Sequence, residues 1–90
     1  MIRPDEVVRP VLDARARRIG EKQLVARGQV VKELNEVAAD VWRLADGTRS
    51  ARQISAAIVI DYDVNAEEAL ADVVEFLTEM VDAKFMKHVE

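Results

Sequence analysis

"QVVKELNEVAADVWRLADGTRS", residues 29–50, changes its period in the middle, and that change decides the fold. In residues 29–34, Val30, Lys32 and Leu34 fall on one side and Val31 and Glu33 on the other, the two-residue repeat of a strand. Beyond Asn35, the apolar residues Val37, Ala38, Val41, Trp42, Leu44 and Ala45 recur at helical spacing. Asn35 stands at the junction as a natural N-cap, because its side-chain oxygen can accept a bond from a free first-turn N–H. Asp46-Gly47 closes the helix, with Gly47 suited to the left-handed position after it.

Towards the N-terminus the strand texture continues. ARARRI (14–19) alternates small or apolar residues with arginine, Gly20 interrupts it, and KQLVA (22–26) follows before the turn at Arg27-Gly28. Short strands separated by glycine turns predict an antiparallel meander. Residues 1–12 hold Pro4 and Pro10 among charges, which predicts an extended arm. Towards the C-terminus, Ser50 with Gln53 forms a capping box for a second helix, which carries Ile54, Ala57, Ile58, Val59 and Ile60 and is closed by DYDVN (61–65). Asn65 caps a third helix, from about Ala66 to Ala83, with acidic residues in its first turn to suit the helix dipole. The expected fold is therefore α+β and winged helix-turn-helix-like: three short antiparallel strands followed by three helices. Residues 1–12 form the arm and 13–90 a single domain.

Ninety residues, half of them apolar and a third charged, are ordinary for one small soluble domain, whose core is too small to surround a deep active site easily. There is no apolar run of about 18 residues and no secretory h-region, and the expected setting is cytoplasmic. With no cysteine there is no disulfide framework, thiolate metal site or thiol nucleophile. The net charge of −4 divides unevenly: residues 1–34 have eight basic and five acidic side chains, and 35–90 have five basic and twelve acidic. The acidic second part discourages a phosphate-backbone partner.

Reactive chemistry is sparse. His88 is the only histidine and lies two residues from the end, where a terminal tail supplies little preorganisation for a base. Asp61 and Asp63 resemble a fragment of a calcium loop but lack its glycine and distal glutamate. Phosphate-binding glycine loops and nucleophile elbows are absent from the sequence. An enzyme is not expected, and neither a metal nor another cofactor.

Two features point instead to binding. Leu70, Val73, Val74, Leu77 and Val81 already dock the third helix on a core, yet Ala69, Phe76, Met80 and Ala83 form a second apolar stripe beside them. That stripe either packs against more core, meets another subunit, or lines a groove in which Met80 adapts to a partner's shape. If strand 29–34 lies at the sheet edge, its unpaired backbone groups can template an added peptide strand.

At LNEVAADVWRLADGTRS and YDVNAEEALADVVEFL the sequence resembles the PqqD family, the peptide chaperones of pyrroloquinoline quinone biosynthesis and their relatives. Leu34-Asn35, Trp42, Leu44, Asp46-Gly47, Ile54, Tyr62-Asp63-Val64, Glu67-Glu68-Ala69, Asp72-Val73 and Phe76-Leu77 carry the resemblance, in order and at matching spacing. It implies a RiPP recognition element, a small winged helix that binds the leader of a ribosomally made precursor and presents it to a modifying enzyme, such as a radical SAM protein or a leader peptidase. It also implies that the leader adds antiparallel to the third strand and packs on the third helix. Carried over by position, the peptide-binding residues are Val30, Val31, Lys32, Glu33 and Leu34 on the strand, and Ala69, Asp72, Val73, Phe76 and Met80 on the helix. Asn35, Trp42, Asp46 and Gly47 become framework. Arg15, Arg17, Arg18 and Lys22 fit either an acidic leader or a solvated strand face.

Two rival readings stand beside this one. A DNA-binding winged helix would use helix 50–61, with Arg52 and Gln53 reading bases and Arg43 and Arg49 touching phosphates. A homodimer would cover the strand edge and third helix with a second copy.

Overall fold

The computed structural model describes residues 1–89. Its element order is β1 (Val8–Pro10), β2 (Arg15–Ile19), β3 (Lys22–Arg27), β4 (Val30–Leu34), α1 (Glu36–Leu44), α2 (Ala51–Tyr62), α3 (Ala66–Asp82) and β5 (Met86–His88). The three expected strands and three helices are all present, and the strands pair antiparallel in the order β2-β3-β4. The β3–β4 turn has Gly28 at φ 59, while the following Gln29 is not in the positive region. Together with the closing pair Arg27↔Val30, this is the arrangement of a two-residue turn with glycine first. Valine or leucine at position 28 would be strained there.

The helix caps follow the sequence signals. Asn35 Oδ1 accepts from the Ala38 N–H at 2.8 Å. Ser50 Oγ accepts from the Gln53 N–H at 3.2 Å while Gln53 Oε1 accepts from the Ser50 N–H at 2.8 Å. Asn65 Oδ1 takes the N–H groups of both Glu67 and Glu68. α1 ends at Leu44, slightly earlier than Asp46-Gly47 suggested. Asp46 instead organises the following turn, accepting from both the backbone N–H and the hydroxyl of Thr48 at 3.0 and 2.6 Å. Those bonds, helped by Arg49, hold its carboxyl below the usual carboxylate range. Gly47, at φ 93, sits in that turn, where an added Cβ would come within 3.4 Å of the Arg9 side chain.

Two short strands flank the expected pattern. β1 pairs antiparallel with β5, Val8 against His88 and Pro10 against Met86. The segment read as an arm is thus extended at Val8–Pro10, as its prolines suggest, but docked against the fold. Ile2 and Val8 are buried, the Arg52 N–H donates to the Pro4 carbonyl at 2.8 Å, and the Ile2 N–H donates to Thr78 Oγ1 at 3.1 Å. After α3 the chain turns back through Lys84, at φ 69, to bury Phe85 and Met86.

The core lies between the three helices and is sealed by these terminal strands. It contains Val41, Trp42, Ile54, Ile58, Val73, Leu77 and Met80, and receives Val25 and Leu34 from one face of the sheet. β2, by contrast, is exposed along its whole length. Among the described residues no helix is long and apolar enough to cross a membrane.

Candidate functional site

In the three-stranded sheet the order leaves two free edges, β2 and β4, and their side chains differ. β2 offers Arg15, Arg17 and Arg18, charges that oppose the addition of another strand. β4 offers Val30 and Val31, which are 56% and 57% exposed. Because Arg27↔Val30 closes a two-residue turn, antiparallel alternation directs the backbone groups of Val30, Lys32 and Leu34 towards β3. The N–H and C=O groups of Val31 and Glu33 therefore face outward.

The open edge lies between two hollows lined in part by α3 and the turn after it. At its Leu34 end a cavity of about 370 Å³ lies between α1, the end of α2 and α3. Asn35, Val37 and Ala38 form one wall and Ala69, Asp72, Val73 and Phe76 the other, with Ile58 and Tyr62 behind. At the Val30 end a smaller hollow of about 220 Å³ is shared by Val30, Arg27 and Gly28 with Ala83 and Phe85. Val30, Val31, Val37 and Val64, four exposed valines, border this path.

The ten residues read as peptide-binding divide accordingly. Val30, Val31, Lys32 and Glu33 present the edge, and Ala69, Asp72, Val73 and Phe76 line the cavity. Leu34 is buried beneath the sheet. Met80 is 1% exposed and belongs to the core, below the groove floor. Its helical position is close to that of Phe76, but it is buried in the core whereas Phe76 is only partly buried.

Sequence reading missed the opposite wall. Val37 and Ala38 were read as one stripe of α1, although Val37, immediately inside the cap, remains 37% exposed. Tyr62 and Val64 close the cavity from DYDVN, read simply as a helix end. Tyr62 donates its phenol proton to Asp40 Oδ2 in a short hydrogen bond that ties the end of α2 to α1. That bond to a carboxylate, reinforced by burial and the surrounding acids, pushes the phenol up to about 12.

The side chains needed by a DNA reader are engaged elsewhere. Arg52 pairs with Asp5 at 3.3 Å, Gln53 completes the capping box, Arg49 pairs with Asp46 at 3.2 Å, and Arg43 pairs with Asp40 at 3.6 Å.

Comparison with known proteins gives a consistent placement. The chain is similar over 97% of its length, at 20% identity and a TM-score of 0.84, to the solution structure of the PqqD truncation of Methylobacterium extorquens PqqCD, described as a functional and stand-alone RiPP recognition element; 95% of that chain is covered. It is also similar to TbiB1 in complex with the TbiA(β) leader peptide, over 91% of this chain and 98% of that one, at 17% identity and a TM-score of 0.78. No curated protein sequence matches. The model of the family described as coenzyme PQQ synthesis protein D matches residues 21–86, from β3 through α3 to the start of β5. With most of its length matched by that family and its fold shared with these two structures, the chain belongs to the PqqD family.

Proposed function

We propose that this chain is a non-catalytic peptide chaperone, a RiPP recognition element that binds the leader of a ribosomally synthesised precursor and presents it to a modifying enzyme. The observation that carries the reading is the unblocked apolar edge of β4 beside the α1–α3 cavity. The leader adds antiparallel to β4, bonding to the outward backbone groups of Val31 and Glu33, while alternate side chains enter the groove. Its N-terminal part then lies over the larger cavity and its C-terminal part passes Val30. Family membership and the leader peptide bound to TbiB1 support this reading. The enzyme is a radical SAM protein or a leader peptidase, and the setting is the cytoplasm, where precursors are synthesised.

The test is an amide NMR titration of the labelled chain with leader peptides encoded beside its gene. Binding through strand addition shifts residues 30–34 and the groove side of 69–76. Saturation that leaves those amides unmoved, across every neighbouring precursor, rejects it.

A further inference from the structure

The sheet carries a second recessed surface on the other side of β4 from its free edge. A hollow of about 610 Å³ lies between the β2–β3 hairpin and α1. It is lined by Arg17, Arg18, Arg43 and Asp40 and by the apolar Leu34, Ala39 and Trp42.

Two of its three arginines, Arg17 and Arg18, make no ion pair among the described residues. Arg27, Arg43, Arg49 and Arg52 each pair with an aspartate, whereas Arg15, Arg17, Arg18 and Lys22 make no ion pair among the described residues. Arg18 makes one long bond, from Nε to the Gly20 carbonyl at 3.4 Å. Four like charges therefore lie along the β2–β3 hairpin without an ion pair among the described residues, and the one acid lining the hollow, Asp40, is paired with Arg43. β2 buries no side chain, so core packing does not explain its composition. It also precedes the stretch matched by the family model, which begins at residue 21.

We propose that this hollow is a second docking site, which takes an acidic segment of a protein partner: carboxylates meet Arg17 and Arg18, and an apolar side chain beside them rests on Leu34 and Trp42. Forked arginine–carboxylate bonds supply direction, and the floor supplies apolar contact. A protein fits better than nucleic acid because the chain is net acidic, with the winged-helix base readers already engaged. Given the peptide-binding function proposed above, on which this identification rests, the partner is the enzyme that receives the peptide. Peptide and enzyme then bind on opposite sides of β4 without competing.

The experiment uses the whole chain, labelled for amide NMR, and a twelve-residue synthetic peptide of Glu-Glu-Leu repeats as probe. The same titration is run with a Lys-Lys-Leu peptide and with a short DNA duplex. The acidic peptide should shift Ala16–Arg18, Gln23, Leu24 and the single tryptophan's indole N–H, with affinity falling as salt is raised. Arg17→Glu with Arg18→Glu should weaken that binding at least about tenfold while leaving leader binding at β4 unchanged. Equal shifts with the basic peptide, tighter binding of the duplex at the same residues, or no shift with the acidic peptide overturns the proposal. If the acidic peptide moves only residues 30–34 and 69–76, the second site fails and the groove stands. If it moves the β2 hollow while no leader moves β4, the second site stands and the groove reading fails.

Discussion

Trp42 and Phe85 meet edge to face, with ring centroids 6.5 Å apart and planes at 78°. One ring comes from α1 and the other from the turn after α3, so this contact fastens the segment that follows the last helix into the centre of the molecule. Phe85→Ala should cost about 3–5 kcal/mol, because the ring is fully buried and its removal leaves a cavity. Chemical denaturation checks this; a loss below about 1 kcal/mol would mean that the segment is not part of the core.

Phe76 and Met80 should separate binding from stability. Phe76→Ala, on the half-exposed cavity wall, should weaken leader binding about tenfold or more and reduce stability by about 1 kcal/mol. Met80→Ala should cost about 2–5 kcal/mol of stability, with any loss of affinity following from partial unfolding. Calorimetry and denaturation on both variants make the comparison.

Proline reads out the direction of backbone groups along β4. Val31→Pro removes an outward N–H and should abolish strand addition while the β3–β4 ladder persists. Lys32→Pro removes an inward N–H and should break the sheet itself. Circular dichroism and peptide titration distinguish the two outcomes; equal folding defects would show that the alternation assigned to β4 is wrong.

The single tyrosine permits a clean titration. Its folded-state value of about 12 lies above the ordinary 10.0, so the Tyr62–Asp40 bond contributes stability that is complete below pH 10 and is lost as pH rises through 12. Tyrosinate absorbance should show the raised midpoint, and Asp40→Asn should lower it towards 10.0. An unchanged midpoint in that variant would remove Asp40 as the cause.

The parts of the fold visible in the sequence were those specified locally. Asn35, Ser50 with Gln53, and Asn65 each announce a helix through one side chain and a nearby N–H, and Gly28 announces its hairpin in the same way. β1 and β5 were not visible, because three residues are too few to display an alternation and their partners lie at opposite ends of the chain. Phe85 and Met86 lie past the third helix, in a stretch to which periodicity assigns no element. The candidate groove was half legible: the edge and the α3 wall follow from periodicity, whereas Val37, Tyr62 and Val64 sit at element ends whose exposure depends on how α1, α2 and α3 pack. Met80 shows the opposite error, since a helical stripe gives the side of a helix but not what covers it.

The pairing of Val8 with His88 brings segments from before the sheet and after the last helix to one place. Met1, Ile2 and His88 share a shallow hollow with Thr78, Val81 and Asp82, about half a helical turn around α3 from Phe76. The β1–β5 pair therefore acts as a clasp: opening it would release Ile2, Val8, Phe85 and Met86 from the core together.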